Sequence, residues 1–253
     1  MTAFPEPWHP GPTGEVPEMV KHLDVRIDLG AESGQDARPS VQATEGRLAA
    51  IRDRIRETAP DGYSAQRAAL LLDECGLLVE LERMTEAWER AKQVFDTSVR
   101  EKQWQSAAQA CDLMFRSEQP LSLAALGQGI WLAVTFPIDP GVTVSLLEHV
   151  VDETPDHSDG AAIAAAVAVY VVDLRTEGAQ YDDLSVSTRQ LLTSVARRHR
   201  GVENQAELDA WVAALGLDDV NGILGRLRRI IEALVQDHWW IDRDSIQAEL
   251  PDQ

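Results

Sequence analysis

The densest set of groups able to do chemistry is Leu147 to Asp159, LEHVVDETPDHSD. On a helix, residues four apart share a face, which sets His149 with Glu153 and Glu148 with Asp152. Asp156 and His157 follow in the turn. Imidazole nitrogens with carboxylate oxygens suit a divalent transition metal, and such a site would use His149, Glu153 and His157. The acids of the same stretch, Glu148, Asp152, Glu153, Asp156 and Asp159, would equally serve as a docking surface for a basic protein. The plain alternative is a solvated helix end and loop, with Asp159 starting the next helix.

Trp239 and Trp240 form a second feature, at the end of the last long helix. Adjacent residues on a helix point about 100° apart, so one domain buries both only with difficulty. Tryptophan is enriched where proteins meet, and at least one of the two is therefore a candidate partner contact. Two arginine clusters, Arg197, Arg198 and Arg200 and then Arg226, Arg228 and Arg229, read as solvated, salt-bridged surface, with the first suited to a helix C-terminus.

No phosphate loop, dinucleotide fingerprint, nucleophile elbow or zinc motif occurs. The Glu-x-x-His spacing of a di-iron bundle appears only as Glu6 with His9, among prolines that forbid a helix. The net charge of -19 argues against nucleic acid or an anionic membrane, since phosphate contacts need clustered Lys and Arg. The charge is also uneven. Residues 119–187 hold ten acids and one base, Arg175, whereas residues 41–118 hold 14 acids and 11 bases. The acidic surface therefore belongs to the second half of the chain.

The elements that must position these groups are helices. Ala161 to Leu174, AAIAAAVAVYVVDL, is apolar all round, which is the pattern of a buried helix. It is too short for a membrane span, which needs roughly 20 apolar residues. Periodicity and breakers place further helices at Val41–Thr58, from Ser64 to about Arg83, from Thr85, at Trp104–Ser117, from Pro120 to about Phe136, and from Asp139-Pro140 to Glu153. Leu184–Arg200, Ala206–Leu215 and Val220 to about Trp240 complete the set. About ten helices on short loops predict an all-α fold of antiparallel hairpins, either tetratricopeptide-like or an irregular bundle. Residues 41–253 read as one helical domain, with a candidate inner boundary near 178–201.

Ahead of it, residues 1–40 read as an extended Pro-rich arm and linker. Within the arm, Leu23, Val25, Ile27 and Leu29 alternate with charged residues, the pattern of one short strand; with no second strand to pair with, it would either lie across the helices as an irregular or disordered segment or pair with a partner or a second copy. The first residues lack the basic and apolar segments of a secretory signal. Cys75 and Cys111 fit buried thiols in a reducing cytoplasm.

The segment Gln103 to Met114, QWQSAAQACDLM, resembles the second helix of a tetratricopeptide repeat, with Trp104, Ala107 and Cys111 near its aromatic, small and larger apolar positions. The likeness covers about one repeat. The helix before it departs from the pattern, and Pro120 falls one residue late. It implies a stack of helical hairpins.

The sequence thus favours a cytoplasmic, non-enzymatic adaptor, accessory or assembly factor without a cofactor. Its expected partner is a protein, basic in character, or a second copy in a homodimer. The competing expectation is a metal-dependent enzyme or sensor built on His149, Glu153 and His157.

Overall fold

The computed structural model describes residues 34–58 and 64–248, the first six by backbone alone. The chain falls into two units, residues 1–40 and 41–253, and the second holds nearly all of the described residues. The strand expected at Leu23–Leu29 lies outside the described residues. The expected linker is corrected in its latter part, because a helix already begins at Gly34.

Eleven helices and no strand are found among the described residues, so the fold is all-α. They are α1 (Gly34–Glu57), α2 (Ala65–Glu80), α3 (Met84–Arg100), α4 (Trp104–Arg116), α5 (Ser122–Thr135) and α6 (Pro140–Glu153). After them come α7 (Asp159–Arg175), α8 (Gly178–Arg200), α9 (Gln205–Leu215), α10 (Val220–Val235) and α11 (Arg243–Ala248). Neighbours in sequence pack on one another from α2 to α5 and from α6 to α8, while α10 returns to cover α5 and α7. The stretch considered as an inner boundary is α8, a continuous helix packed on α7.

Local chemistry explains the helix starts that were legible. Ser64 accepts the Arg67 N–H, and Asp139 accepts those of Gly141 and Val142 with Pro140 in the first turn, which satisfies donors that a helix start leaves free. The start expected at Thr85 lies one residue late: α3 begins at Met84, with Arg83 before it and no side-chain cap. The reason is the turn preceding it. Glu82 N–H bonds to Val79 O and Arg83 N–H to Leu78 O with Glu82 at φ 56°, a left-handed C-terminal cap that runs straight into the next helix. The α3–α4 turn repeats this at Lys102, φ 55°. Nor does Pro120 lie in the first turn of α5; it sits in the turn ahead of Leu121, the residue that precedes the helix.

The core forms where small residues admit neighbours. Every residue of α7 from Ala161 to Ala168 is buried, as an all-apolar helix requires, and it packs against α6, α8 and α10. Close approach also shapes α5: a methyl on Gly129 would meet Cys111 Cβ at 2.7 Å, and one on Gly127 would meet Val235 Cγ2 at 2.5 Å. Among the described residues no helix is long and apolar enough to cross a membrane.

Helix α1 is held differently. Of its described side chains only Leu48 is buried, in a small cluster with Leu77, Leu78 and Ala87. Charge supplies the rest. Arg52 reaches the buried Glu74 at 2.8 Å, where Arg90 also arrives at 3.1 Å, and it pairs with Glu86 as well. Removing both guanidinium partners from such a buried carboxylate is strongly destabilising, because the charge is then left uncompensated.

Candidate functional site

The acidic stretch occupies the C-terminal half of α6, the turn after it and the start of α7. Thr154 ends α6, and Ser158 accepts the Gly160 N–H to begin α7, so Asp159 is its first residue. An acid there is favoured by the helix dipole.

The groups proposed for a metal are not brought together. His149 turns away toward α4, its Nε2 2.8 Å from Asp112 Oδ1 and its ring 4.6 Å from that of Phe115. Glu153 is exposed. His157 points Nδ1 at the carbonyl of His199, 3.4 Å away. Among the described residues no three His, Cys, Asp or Glu side chains could share a metal ion. The structure thus does not bring His149, Glu153 and His157 together: shared spacing on α6 did not anticipate the pull of Asp112 from another helix.

The acids divide into two sets. The turn is tied to the C-terminal end of α8: Arg198 Nε is 3.3 Å from Asp156 Oδ1, and Arg198 Nη2 donates to Val151 O at 2.9 Å. Beside it His199, its side chain fully buried, has Nε2 3.1 Å from Asp159 Oδ1, off the line of a hydrogen bond. Its Nδ1 accepts the indole N–H of Trp211 at 3.1 Å. Indole only donates, so Nδ1 offers its lone pair and the ring proton sits on Nε2, facing Asp159. Trp211, His199 and Asp159 thus link α9, α8 and α7.

Glu148, Asp152 and Glu153 form the other set, and no cation pairs with them among the described residues. Burial, then the neighbouring charge of Asp152, pushes the Glu148 carboxyl above its usual range. Arg175, the one base between residues 119 and 187, does not offset them. It donates to Ala133 O and Val134 O at the end of α5, at 2.8 and 3.2 Å.

Trp239 and Trp240 are not at a helix end, which corrects the geometry expected for them. Helix α10 stops at Val235, and Gln236 at φ 50° turns the chain back across the core. Trp240 meets Trp88 and Phe95 edge-on at 5.9 and 5.6 Å; Trp239 meets Trp131 at 6.3 Å, with Arg243 stacked 3.8 Å over its ring. Both are half-buried against α3 and α5 rather than beside the acidic residues of α6. Of the second arginine cluster, Arg226 caps the end of α9 through Leu215 O and Gly216 O.

Sequence reasoning saw Arg198 only as part of a solvated cluster, and it missed His199, Trp211 and Asp112 as groups that organise this region. Only the basic end of α8 was visible, without its partners. No protein-family model matches the chain, and neither a curated protein nor a solved structure matches it. The tetratricopeptide likeness of Gln103 to Met114 accordingly gains no family support.

Proposed function

We propose that this chain is a non-enzymatic cytoplasmic interaction protein, an adaptor, accessory or assembly factor, that offers the acidic end of α6 to a basic protein partner. The observation that carries this reading is the trio Glu148, Asp152 and Glu153, which no cation meets among the described residues, with Glu148 held above its usual range by burial and by Asp152. A partner cation would relieve that repulsion. Asp156 and Asp159 frame the surface, their carboxylates still mostly exposed beside Arg198 and His199. Two free, buried cysteines fit a reducing compartment. Trp239 and Trp240 take the part of a scaffold that holds α3 and α5.

The test is capture from native-host extract with wild type and with Asp152→Lys/Glu153→Lys. Retention by wild type that weakens with salt and disappears in the double variant is the expected result, since exposed charges are screened within about 8 Å at physiological ionic strength. Equal retention by both would remove the acidic surface from the function.

A further inference from the structure

The α1–α2 hairpin carries a groove of about 440 Å³ whose floor includes Ile51, Leu72 and Gly76. One wall holds Arg47 and Arg54 of α1, the other Asp73 and Glu80 of α2. Arg47 pairs with Glu80 at 3.2 Å and Arg52 with Glu74, so numbers rise along one helix as they fall along the other and the two run antiparallel. Arg54 and Asp73 remain exposed and without an ion pair among the described residues. Among the described residues a methyl on Gly76 would meet nothing within 4 Å, which leaves space in the groove.

Two features say what fits. First, α1 has 24 residues but buries only Leu48 among its described side chains, with Ile51 and Ile55 half-covered; helices owe most of their stability to packing of an apolar face. Second, a groove with a basic wall and an acidic wall is complementary to itself under a two-fold rotation, where every contact is made twice. We infer that a second copy of this chain occupies the groove. The two α1–α2 hairpins form a four-helix bundle with α1 of each copy beside α2 of the other, Arg54 meeting Asp73 across the interface in both directions.

Sedimentation velocity on the full chain tests this with Arg54→Glu, Asp73→Arg and an equimolar mixture of the two variants. Neither substitution breaks an ion pair of the single chain, and circular dichroism checks that each variant keeps its helices. Wild type is expected at twice the 27.9 kDa chain mass. Each single reversal sets like charges against each other twice and should weaken dimerisation by about tenfold or more. The mixture should regain the dimer. In it the carboxylate introduced at position 54 of one copy faces the guanidinium introduced at position 73 of the other, while the native Asp73 and Arg54 face each other at the second contact. Contacts within one chain cannot produce that rescue. Gly76→Phe, which fills the groove, should also give monomers. A monomeric wild type, single reversals that leave the dimer intact, or a folded mixture that stays monomeric would each overturn the assignment.

Discussion

The buried amide of Gln128 accepts the backbone N–H of Trp240 at 2.7 Å, joining residues 112 apart in the chain. Its Nε2 donates to Ala124 O at 3.2 Å and to His238 O at 3.4 Å. One side chain on α5 thus fixes the returning segment that seats both tryptophans. Gln128→Leu keeps the volume and takes this partner from the Trp240 N–H and the His238 carbonyl, at a cost of about 0.5–1.5 kcal/mol for each hydrogen bond lost. Urea denaturation should show that loss, with a red-shifted tryptophan emission in the native baseline as Trp239 and Trp240 loosen. An unchanged midpoint would mean that α11 and the ring contacts suffice to seat them.

Glu82 at φ 56° closes the α2–α3 turn in a backbone region that costs a residue with a Cβ about 1 kcal/mol or more. Glycine has no such cost there, though it gains freedom in the unfolded chain. Glu82 is exposed, so Glu82→Gly should raise stability by about 0.5–1 kcal/mol, read as a higher urea midpoint at unchanged slope. A lower midpoint would show that the Glu82 side chain contributes more than its backbone strain removes.

What the sequence disclosed was local. Ser64 and Asp139-Pro140 announce helix starts because the cap and its N–H groups lie within three residues, and Ala161–Leu174 announces burial by having no polar face. The end of α10 is different: nothing at Gln236 resembles a stop, and the turn depends on Gln128, far away in sequence. The acidic stretch and the arginines after Val195 were both visible as separate clusters. That Arg198 meets Asp156, or His199 meets Asp159, follows only from α7 and α8 packing side by side. His149 shows the same limit, its orientation set by Asp112 on α4.

Both cysteines should be inert in the native protein. Burial, helped by Glu74, pushes the Cys75 thiol up to about 12, and burial with Asp112 beside it takes Cys111 well above its ordinary value. The thiolate is the reactive form. A disulfide reagent at about pH 8 should therefore label neither thiol until urea unfolds the chain, when both should react. Rapid labelling of folded protein would mean that the core around α2 and α4 opens readily.

In the proposed function Glu148 would join stability to binding with opposite signs. Ionised, its carboxylate bears the cost of burial and of Asp152; protonated, it bears neither. The folded pKa lies above the unfolded one, ordinarily 4.5. Lowering the pH from neutral through the folded value therefore raises stability, and the gain is complete below the unfolded value. Glu148→Gln removes the charge and keeps the shape. It should be more stable than wild type at about pH 7, with the difference closing by about pH 4, as urea midpoints at the two pH values would show. Under the proposed function binding should move the other way, because a basic partner would pair with the ionised carboxylate and Gln would offer it no charge. A Gln variant that is both less stable at neutral pH and unaffected in partner binding would deny Glu148 a place in the acidic surface.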